Sequence, residues 1–249
     1  MKSFRSLSLV SKFSVILLYT RINLRIVFGL KALLLLAGVV LYVVVLCLIL
    51  ANTDIVADTD SGLSVGRALQ LFVWLPVTLF AVLFSMEIIS KERDANLIET
   101  FFTVSVSVYR LWIVKFATLM ACLSLLAFAL IVTTELFVVD LSIMLSLVNV
   151  LPPILFFASL TVLFSAMFNS ANAAGMCVAA ILGFVMLTSE GLSTTIVYPF
   201  LSPFERPIQH ESFIWIRNVV YNKIAYTLLG CVWFWRALRR LDNREWLLK

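Results

Sequence analysis

The residues whose types and spacing most clearly indicate a function lie between residues 91 and 103. A dense charged run at residues 91–94 is followed by apolar side chains that recur at spacings of three and four residues. This spacing predicts a short amphipathic helix over about residues 91–103. Its charged side chains include Glu92, Arg93 and Glu99, and its apolar side chains are Leu97, Ile98, Phe101 and Phe102. The apolar face of such a helix must be covered, either by the membrane surface or by a groove on a soluble partner. The pattern therefore predicts a docking role for this helix. A solvated connector that only fixes topology is the alternative.

Other kinds of chemistry find little support in the sequence. The four cysteines lie in four different apolar runs, and His210 is the single histidine, so we expect neither disulfides nor a metal site. The chain has eight glycines and no Gly-x-x-x-x-Gly-Lys-Ser/Thr phosphate loop. We therefore expect no catalytic residues and no cofactor in this chain.

The elements that must position the amphipathic helix are predicted to cross a membrane. Hydrophobic residues make up 62% of the 249 residues, which exceeds the share in soluble domains. A spanning helix needs about 20 consecutive apolar residues. Six stretches approach or meet this length, at about residues 32–50, 68–89, 112–139, 146–168, 172–189 and 216–236. The predicted fold is all-α, a single transmembrane domain with six helices over residues 1–249.

The distribution of basic residues predicts which side of the membrane each segment faces. The segments before the first span, between the second and third spans, and after the sixth span hold fifteen Lys and Arg residues. The opposite side holds four, namely Arg67, Arg206, Arg217 and Lys223. Because cytoplasmic segments carry the excess of Lys and Arg, both termini are predicted to be cytoplasmic. The same division argues against nucleic-acid binding, since the basic residues do not gather on one polar face.

Two further segments are predicted to lie at the membrane surface or within its outer part. Residues 7–30 mix basic and aliphatic side chains, which favours an interfacial helix over the alternative, a loosely ordered basic tail. Before the sixth span, Pro199, Pro203 and Pro207 interrupt an apolar segment. We expect short helices there that dip back into the membrane and are covered by protein. A plain extracellular loop is the alternative.

The charged segment also carries a family resemblance. The run Lys91-Glu92-Arg93-Asp94-Ala95-Asn96-Leu97-Ile98-Glu99-Thr100, followed by Val108-Tyr109-Arg110, resembles the cytoplasmic signature of type-2 ABC-exporter permeases. The segment 198–204 and the basic, tryptophan-bearing tail 239–246 resemble the outer loop and tail of the same family. The sequence departs from the family pattern at Asp94, where Glu is usual, and in the turn at residues 104–107, which lacks the proline.

The resemblance implies a mechanism and a set of partners. Two six-span subunits, either two copies of this chain or one copy and a similar permease, would pair above an ABC ATPase dimer. The helix at about residues 91–103 would sit in a groove of the ATPase, with Glu92, Arg93 and Glu99 as contact or orienting residues. ATP and magnesium would bind the ATPase. The expected location is the bacterial cytoplasmic (inner) membrane.

The fifth predicted span carries a stripe of small residues. Ala171, Gly175, Ala179 and Gly183 recur every four residues and predict close packing against another helix. Packing within the subunit and packing across a dimer axis both remain open.

Acidic residues near the span ends have weaker interpretations. Glu87 is expected to pair with Lys91 rather than to act in a charge relay. Glu135 and Glu190 are expected to lie at the interface rather than to select a substrate.

Other functions remain open at this stage. A secondary transporter or channel without an ATPase is the main alternative, although such proteins more often carry intramembrane charges. A non-transporting membrane assembly subunit is a further one. The substrate is not predicted, because a fold does not specify its cargo.

Overall fold

The computed structural model describes residues 64–94, 108–168, 170–204 and 212–241, together with Gly38, Leu41, Tyr42 and Val45. Helices form nearly all of these residues, and no strand occurs among them. The predicted all-α fold is therefore confirmed for this part of the chain. The predicted interfacial helix at residues 7–30, most of the first span and residues 95–107 lie outside it.

The first described helix contains three parts. Helix α1 (Val65–Leu69) begins at Ser64, whose Oγ accepts a hydrogen bond from the backbone N–H of Arg67 at 3.3 Å. A π-helical segment (Gln70–Trp74) follows, and helix α2 (Leu75–Asp94) continues from it. Pro76 has no N–H to donate to the carbonyl oxygen of Leu71, and the hydroxyl of Tyr42 donates to this oxygen at 3.3 Å.

Five helices complete the described fold. They are α3 (Val108–Phe137), α4 (Ile143–Met167), α5 (Ala171–Leu187), the short α6 (Ser189–Leu192) and α7 (Ser212–Leu241). Helix α4 continues through Pro152 and Pro153, although neither residue donates a backbone hydrogen bond. Ser170 begins α5, and its Oγ accepts from the N–H of Ala173 at 3.5 Å.

Three helices in the described ranges are long and apolar enough to cross a membrane. They comprise Val65–Ile89, Trp112–Phe137 and Ile143–Met167. The spans predicted at about residues 68–89, 112–139 and 146–168 begin and end within a few residues of them. The apolar helix Ala171–Leu187 is shorter, at 17 residues. Helix α7 has 30 residues but is not among the three helices that are both long and apolar enough to cross a membrane. The count of six spans stays a prediction.

Contacts between side chains give the relative direction of α2, α4 and α5. Ser165, late in α4, donates to the carbonyl oxygen of Met86, late in α2, at 3.1 Å. Gly175, early in α5, also lies against Met86. At the other end of α5, the sulfur of Met186 accepts a hydrogen bond from Gln70 Nε2 at 3.4 Å. Helix α5 thus runs antiparallel to α2, and both α2 and α4 end near its start.

Helix α7 packs mainly against α4. Gly230 permits this close approach, because a Cβ atom built there would lie 3.1 Å from Leu155 Cγ and 3.3 Å from Phe156 Cα. Phe234, late in α7, stacks on Phe116, early in α3, with ring centroids 4.1 Å apart. Lys223, in the earlier half of α7, lies instead beside Trp74.

The bundle therefore has two distinct ends. We call the end that carries residues 193–204 the loop end; α2 begins there and α5 finishes there. We call the end that carries Arg236, Arg239 and Arg240 the basic end; α2 and α4 finish there and α3 begins there. The apolar core between the two ends includes Phe72, Val77, Phe157 and Ile154, all buried.

Candidate functional site

Part of the segment that follows α6 is enclosed by protein, which is unusual for irregular backbone. Residues 198–202 are all buried, including Tyr198, Phe200 and Leu201. In low-dielectric surroundings, each carbonyl oxygen of such a segment needs a hydrogen-bond donor. Side chains of α7 donate to Tyr198 O and Pro199 O, and the N–H of Leu201 also donates to Tyr198 O at 3.2 Å.

Three neighbouring side chains of α7 donate to consecutive carbonyl oxygens of this loop. Asn222 Nδ2 donates to Ile196 O at 2.6 Å and to Tyr198 O at 2.9 Å. Tyr226 donates its hydroxyl hydrogen to Val197 O at 2.5 Å. Lys223 Nζ donates to Pro199 O at 3.2 Å. We call Asn222, Lys223 and Tyr226 the α7 clamp, because together they hold residues 196–199 against the helix.

A second contact holds the loop at Ser202. Trp215, in the first turns of α7, donates its indole N–H to Ser202 O at 3.2 Å. Its ring packs with Leu201 and Val219 in a small separate apolar cluster. The loop is thus fixed to α7 at two points, at residues 196–199 and at residues 201–202.

The ring of Phe200 anchors the loop in the bundle. It lies against Trp74, with centroids 5.3 Å apart, and stacks on Phe157 of α4 at 5.9 Å. Tyr198 meets Phe200 edge to face at 5.8 Å, and the Tyr198 hydroxyl accepts a hydrogen bond from Gln70 Nε2 at 3.2 Å. Gln70 and Trp74 are the two ends of the π-helical segment, so this irregular turn carries both contacts. Such π-helical turns occur frequently at functional sites.

Lys223 is the basic residue most deeply enclosed at the loop end. Only 8% of its surface is exposed, and its Nζ lies over the Trp74 ring, 5.3 Å from the centroid. The charge count of the sequence assigned Lys223 to the side opposite the termini. The structure places it at the loop end, within α7 and under protein.

Sequence reasoning missed the α7 clamp. A signal was present, since Asn222, Lys223 and Tyr226 are polar residues at spacings of one and four within an otherwise apolar stretch, and therefore share one helix face. Their partners could not be inferred, because the bonded carbonyl groups lie 24 to 29 residues away in the chain. The short helices predicted around Pro199 and Pro203 do not occur in the described residues 193–204, which form turns and bends. The burial of residues 198–202 agrees with the expected cover by protein.

The predicted docking residues are described only in part. Helix α2 continues past its apolar portion to Asp94, so Glu92 and Arg93 occupy its last turn. The side chains of these two residues lie outside the described part of the chain. Five further predicted docking residues, within 95–107, also lie outside it: Leu97, Ile98, Glu99, Phe101 and Phe102.

Tryptophan rings accompany the basic residues at the basic end. Arg239 Cζ lies 3.8 Å from the ring centroid of Trp235, and Arg236 Cζ lies 5.9 Å from that of Trp233. Lys115 Nζ, early in α3, lies 5.1 Å from the ring centroid of Trp112. Indole rings with cationic neighbours are typical of helix ends at a membrane surface.

The small-residue stripe of α5 divides into two parts. Gly175 is buried, and a Cβ atom there would lie 2.5 Å from Met86 Sδ, so α5 approaches α2 closely at this point. Ala171 is half-buried. Ala179 and Gly183 are exposed, and a Cβ atom at Gly183 would meet no atom within 4 Å. Packing within the subunit thus uses Gly175 and leaves the later half of the stripe uncovered by the described residues.

Within the described ranges, no cluster of three or more His, Cys, Asp or Glu side chains could hold a metal ion. The arrangement at the loop end can bind and position polar groups, and it offers no paired nucleophile and base. No protein-family profile, curated protein sequence or solved structure matches this chain.

Proposed function

We propose that this chain is the membrane-spanning permease subunit of an ABC transporter. It would export or flip a substrate with energy from ATP, which a separate ATPase subunit hydrolyses with magnesium. The observation that carries the proposal is the charged run at residues 91–94, which extends helix α2 beyond its apolar portion at the basic end. This run opens the segment whose sequence resembles the type-2 exporter signature.

A continuous helix is a suitable transmitter of motion. Because Glu92 and Arg93 belong to the same helix as Met86, a displacement of the last turn is passed along α2. The docking surface comprises Glu92, Arg93, Leu97, Ile98, Glu99, Phe101 and Phe102. Its apolar members fill a groove on the ATPase, and its charged members orient the helix in that groove.

The distribution of charges supports the orientation that this mechanism needs. Helix α3 begins and α7 ends at the basic end, where tryptophan rings lie beside Lys115, Arg236 and Arg239. An excess of basic residues marks the cytoplasmic side, and an ATPase is reached from there. We propose six spans with both termini in the cytoplasm, in a bacterial inner membrane, and pairing with a second copy or a similar permease.

The loop end would then face away from the ATPase. There the residues 193–204 cover the bundle from the side opposite the docking surface, and the α7 clamp holds them in place. In the resembled family, the corresponding segment closes the exit side of the pathway. We propose the same role for residues 193–204.

One observation favours a second candidate function, a secondary transporter that works without an ATPase. Lys223 is buried within α7, and it has no acidic partner among the residues that the structure describes. Ionisable side chains enclosed in membrane helices often lie on ion or substrate paths. The two candidates differ in their energy source, so transport by the reconstituted chain would require ATP and the ATPase in one case and an ion gradient in the other.

Copurification tests the docking surface. The chain is purified in a mild detergent, and copurified proteins that carry a phosphate-loop motif are identified by mass spectrometry. The variant Arg93→Glu with Glu99→Lys reverses two charges of the docking surface, and we expect it to lose the ATPase. Circular dichroism and size-exclusion chromatography should show an unchanged fold.

A matched control carries the same charge changes away from the docking surface. Arg217→Glu with Glu135→Lys alters one exposed basic and one acidic residue outside residues 91–103. We expect this variant to retain the ATPase. If the docking-surface variant retained it equally, the coupling role would be refuted, and a wild-type chain that never retains an ATPase would contradict the ABC assignment.

A further inference from the structure

The amino group of Lys223 lies where three segments of the loop end meet. It reaches from α7 to the carbonyl oxygen of Pro199 in the loop, and it lies over the ring of Trp74 at the end of the π-helical segment. Its neighbour Asn222 is 1% exposed and holds the same loop. Protein rather than solvent therefore surrounds this amino group.

The donors around Lys223 outnumber their acceptors. A lysine ammonium has three N–H groups, and Pro199 O is the one hydrogen-bond acceptor that the described residues provide. The indole N–H of Trp74 is buried and has no hydrogen-bond partner in the described part of the chain. A buried donor without an acceptor is destabilising, and contact with an aromatic face compensates a cation only in part.

Asn222, the residue next to Lys223 in α7, carries an unpaired acceptor. Both hydrogen bonds of Asn222 use its Nδ2 atom and point to carbonyl groups, which fixes the orientation of the amide. Its Oδ1 atom is buried and finds no donor among the described residues. Each unpaired polar atom of this kind calls for an explanation, and a bound polar group is one that would serve both Asn222 and Trp74.

We propose that Trp74, Asn222 and Lys223 form a binding site for a phosphate group. A phosphate has several terminal oxygens, so it can accept from the two remaining N–H groups of Lys223 and from the indole N–H of Trp74. Lysine is a common phosphate ligand and supplies the compensating charge. Asn222 Oδ1 accepts from a protonated phosphate oxygen or from a hydroxyl group of the molecule that carries the phosphate.

The phosphate belongs either to a lipid headgroup or to a free, soluble molecule. Both sources present the same oxygens to the site, and they differ in how they reach it. A lipid would arrive from the side of the helices, whereas a soluble phosphate would arrive past residues 193–204. The site does not depend on an ATPase partner, so its occupancy is measured on the purified chain alone.

Thermal unfolding of the purified full chain in a neutral detergent measures this binding. The midpoint is recorded with inorganic phosphate, with short-chain phosphatidic acid, and with short-chain phosphatidylcholine as a zwitterionic lipid. We expect a rise of several degrees with at least one of the two anionic probes, and a smaller rise with phosphatidylcholine. A rise with phosphatidic acid alone assigns the site to lipid headgroups, and a rise with both anionic probes assigns it to phosphate from either source.

Two variants separate binding from folding. Trp74→Phe retains an aromatic ring and removes the unpaired N–H together with part of a buried ring, so the free protein should unfold at a lower temperature than the wild type. The comparison therefore uses the response of each protein to the probe, measured from its own midpoint. The apparent affinity of Trp74→Phe for the anionic probe should fall about tenfold, which corresponds to the loss of about 1.4 kcal/mol. Lys223→Met should abolish the stabilisation by the probe.

The control is Arg217→Met, which removes an exposed basic residue of the same helix. It should retain the wild-type response, because Arg217 does not belong to the site. The proposal is overturned if neither anionic probe stabilises the wild type. It is also overturned if Trp74→Phe binds the probe with wild-type affinity, a result that remains informative even if Lys223→Met fails to fold.

Discussion

Replacement of Asn222 tests whether α7 holds the loop through side-chain donors. Asn222→Ala removes both hydrogen bonds from Nδ2, at 2.6 Å and 2.9 Å, and leaves the carbonyl oxygens of Ile196 and Tyr198 without this donor. Tyr198 O keeps the hydrogen bond from the N–H of Leu201, at 3.2 Å, and Ile196 is 45% exposed, so neither carbonyl group is left buried without a partner. Each lost hydrogen bond then costs about 1 kcal/mol, and removal of the unpaired Oδ1 returns about 1 kcal/mol. The expected loss in the free energy of unfolding is about 1 kcal/mol.

Two further substitutions rank the contributions of the α7 clamp. Asn222→Asp keeps the shape of the side chain and replaces the donor by an acceptor that faces two carbonyl oxygens. It should therefore destabilise at least as much as the alanine variant. Tyr226→Phe removes one hydrogen bond, to Val197 O, and should cost about 1 kcal/mol.

The assay is equilibrium unfolding in mixed micelles, with circular dichroism recorded as the fraction of sodium dodecyl sulfate increases. Thr227→Ala is the matched control, because the Thr227 hydroxyl donates only to a carbonyl oxygen of its own helix, that of Lys223. It should change the free energy of unfolding by less than about 0.5 kcal/mol. If both Asn222 variants unfolded at the same detergent fraction as Thr227→Ala, the reasoning about the clamp would be wrong.

Further predictions concern helix packing and topology. Gly230→Ala places a methyl group 3.3 Å from the backbone of Phe156 and should destabilise by about 1–3 kcal/mol in the same unfolding assay. The methyl group added by Gly183→Ala would lie in open space, so this variant should leave stability unchanged or raise it by up to about 1 kcal/mol. A loss of stability would instead indicate that another helix packs against Gly183. For topology, single cysteines are introduced at Asp58 and Arg244 in a cysteine-free background. An impermeant thiol reagent should label the first in intact cells and the second only after permeabilisation, and the reverse pattern would contradict the predicted orientation.

The sequence predicted those features of the fold that depend on local composition. The helices around residues 68–89, 112–139 and 146–168 follow from the length of their apolar runs, since a run of this kind has few alternatives to a helix. The position of Gly175 in a close contact follows from the small-residue stripe. Pro76 lacks a backbone N–H, which disfavours a regular helix around it, but the π-helical turn before it depends on contacts with distant residues.

The candidate site could not be predicted in the same way, because it depends on pairs of residues that are distant in the chain. Gln70 and Tyr198 are 128 residues apart, and nothing in either segment points to the other. The count of basic residues placed Lys223 on the side opposite the termini and gave it no partner. The carbonyl oxygen of Pro199 and the ring of Trp74 keep it inside the protein.

Helix α7 has the properties of a rigid rod that joins the two ends of the bundle. Its 30 residues contain no proline and extend about 45 Å, which exceeds the roughly 30 Å of a hydrocarbon core. A rotation of about 20° at its Trp233–Arg240 end would carry side-chain atoms about 6 Å from the axis through an arc of about 2 Å. That distance is enough to separate Asn222 and Tyr226 from their carbonyl acceptors at the same instant. A torque applied at one face of the molecule would thus be converted into release of the loop at the other, over the full length of the helix and without a hinge.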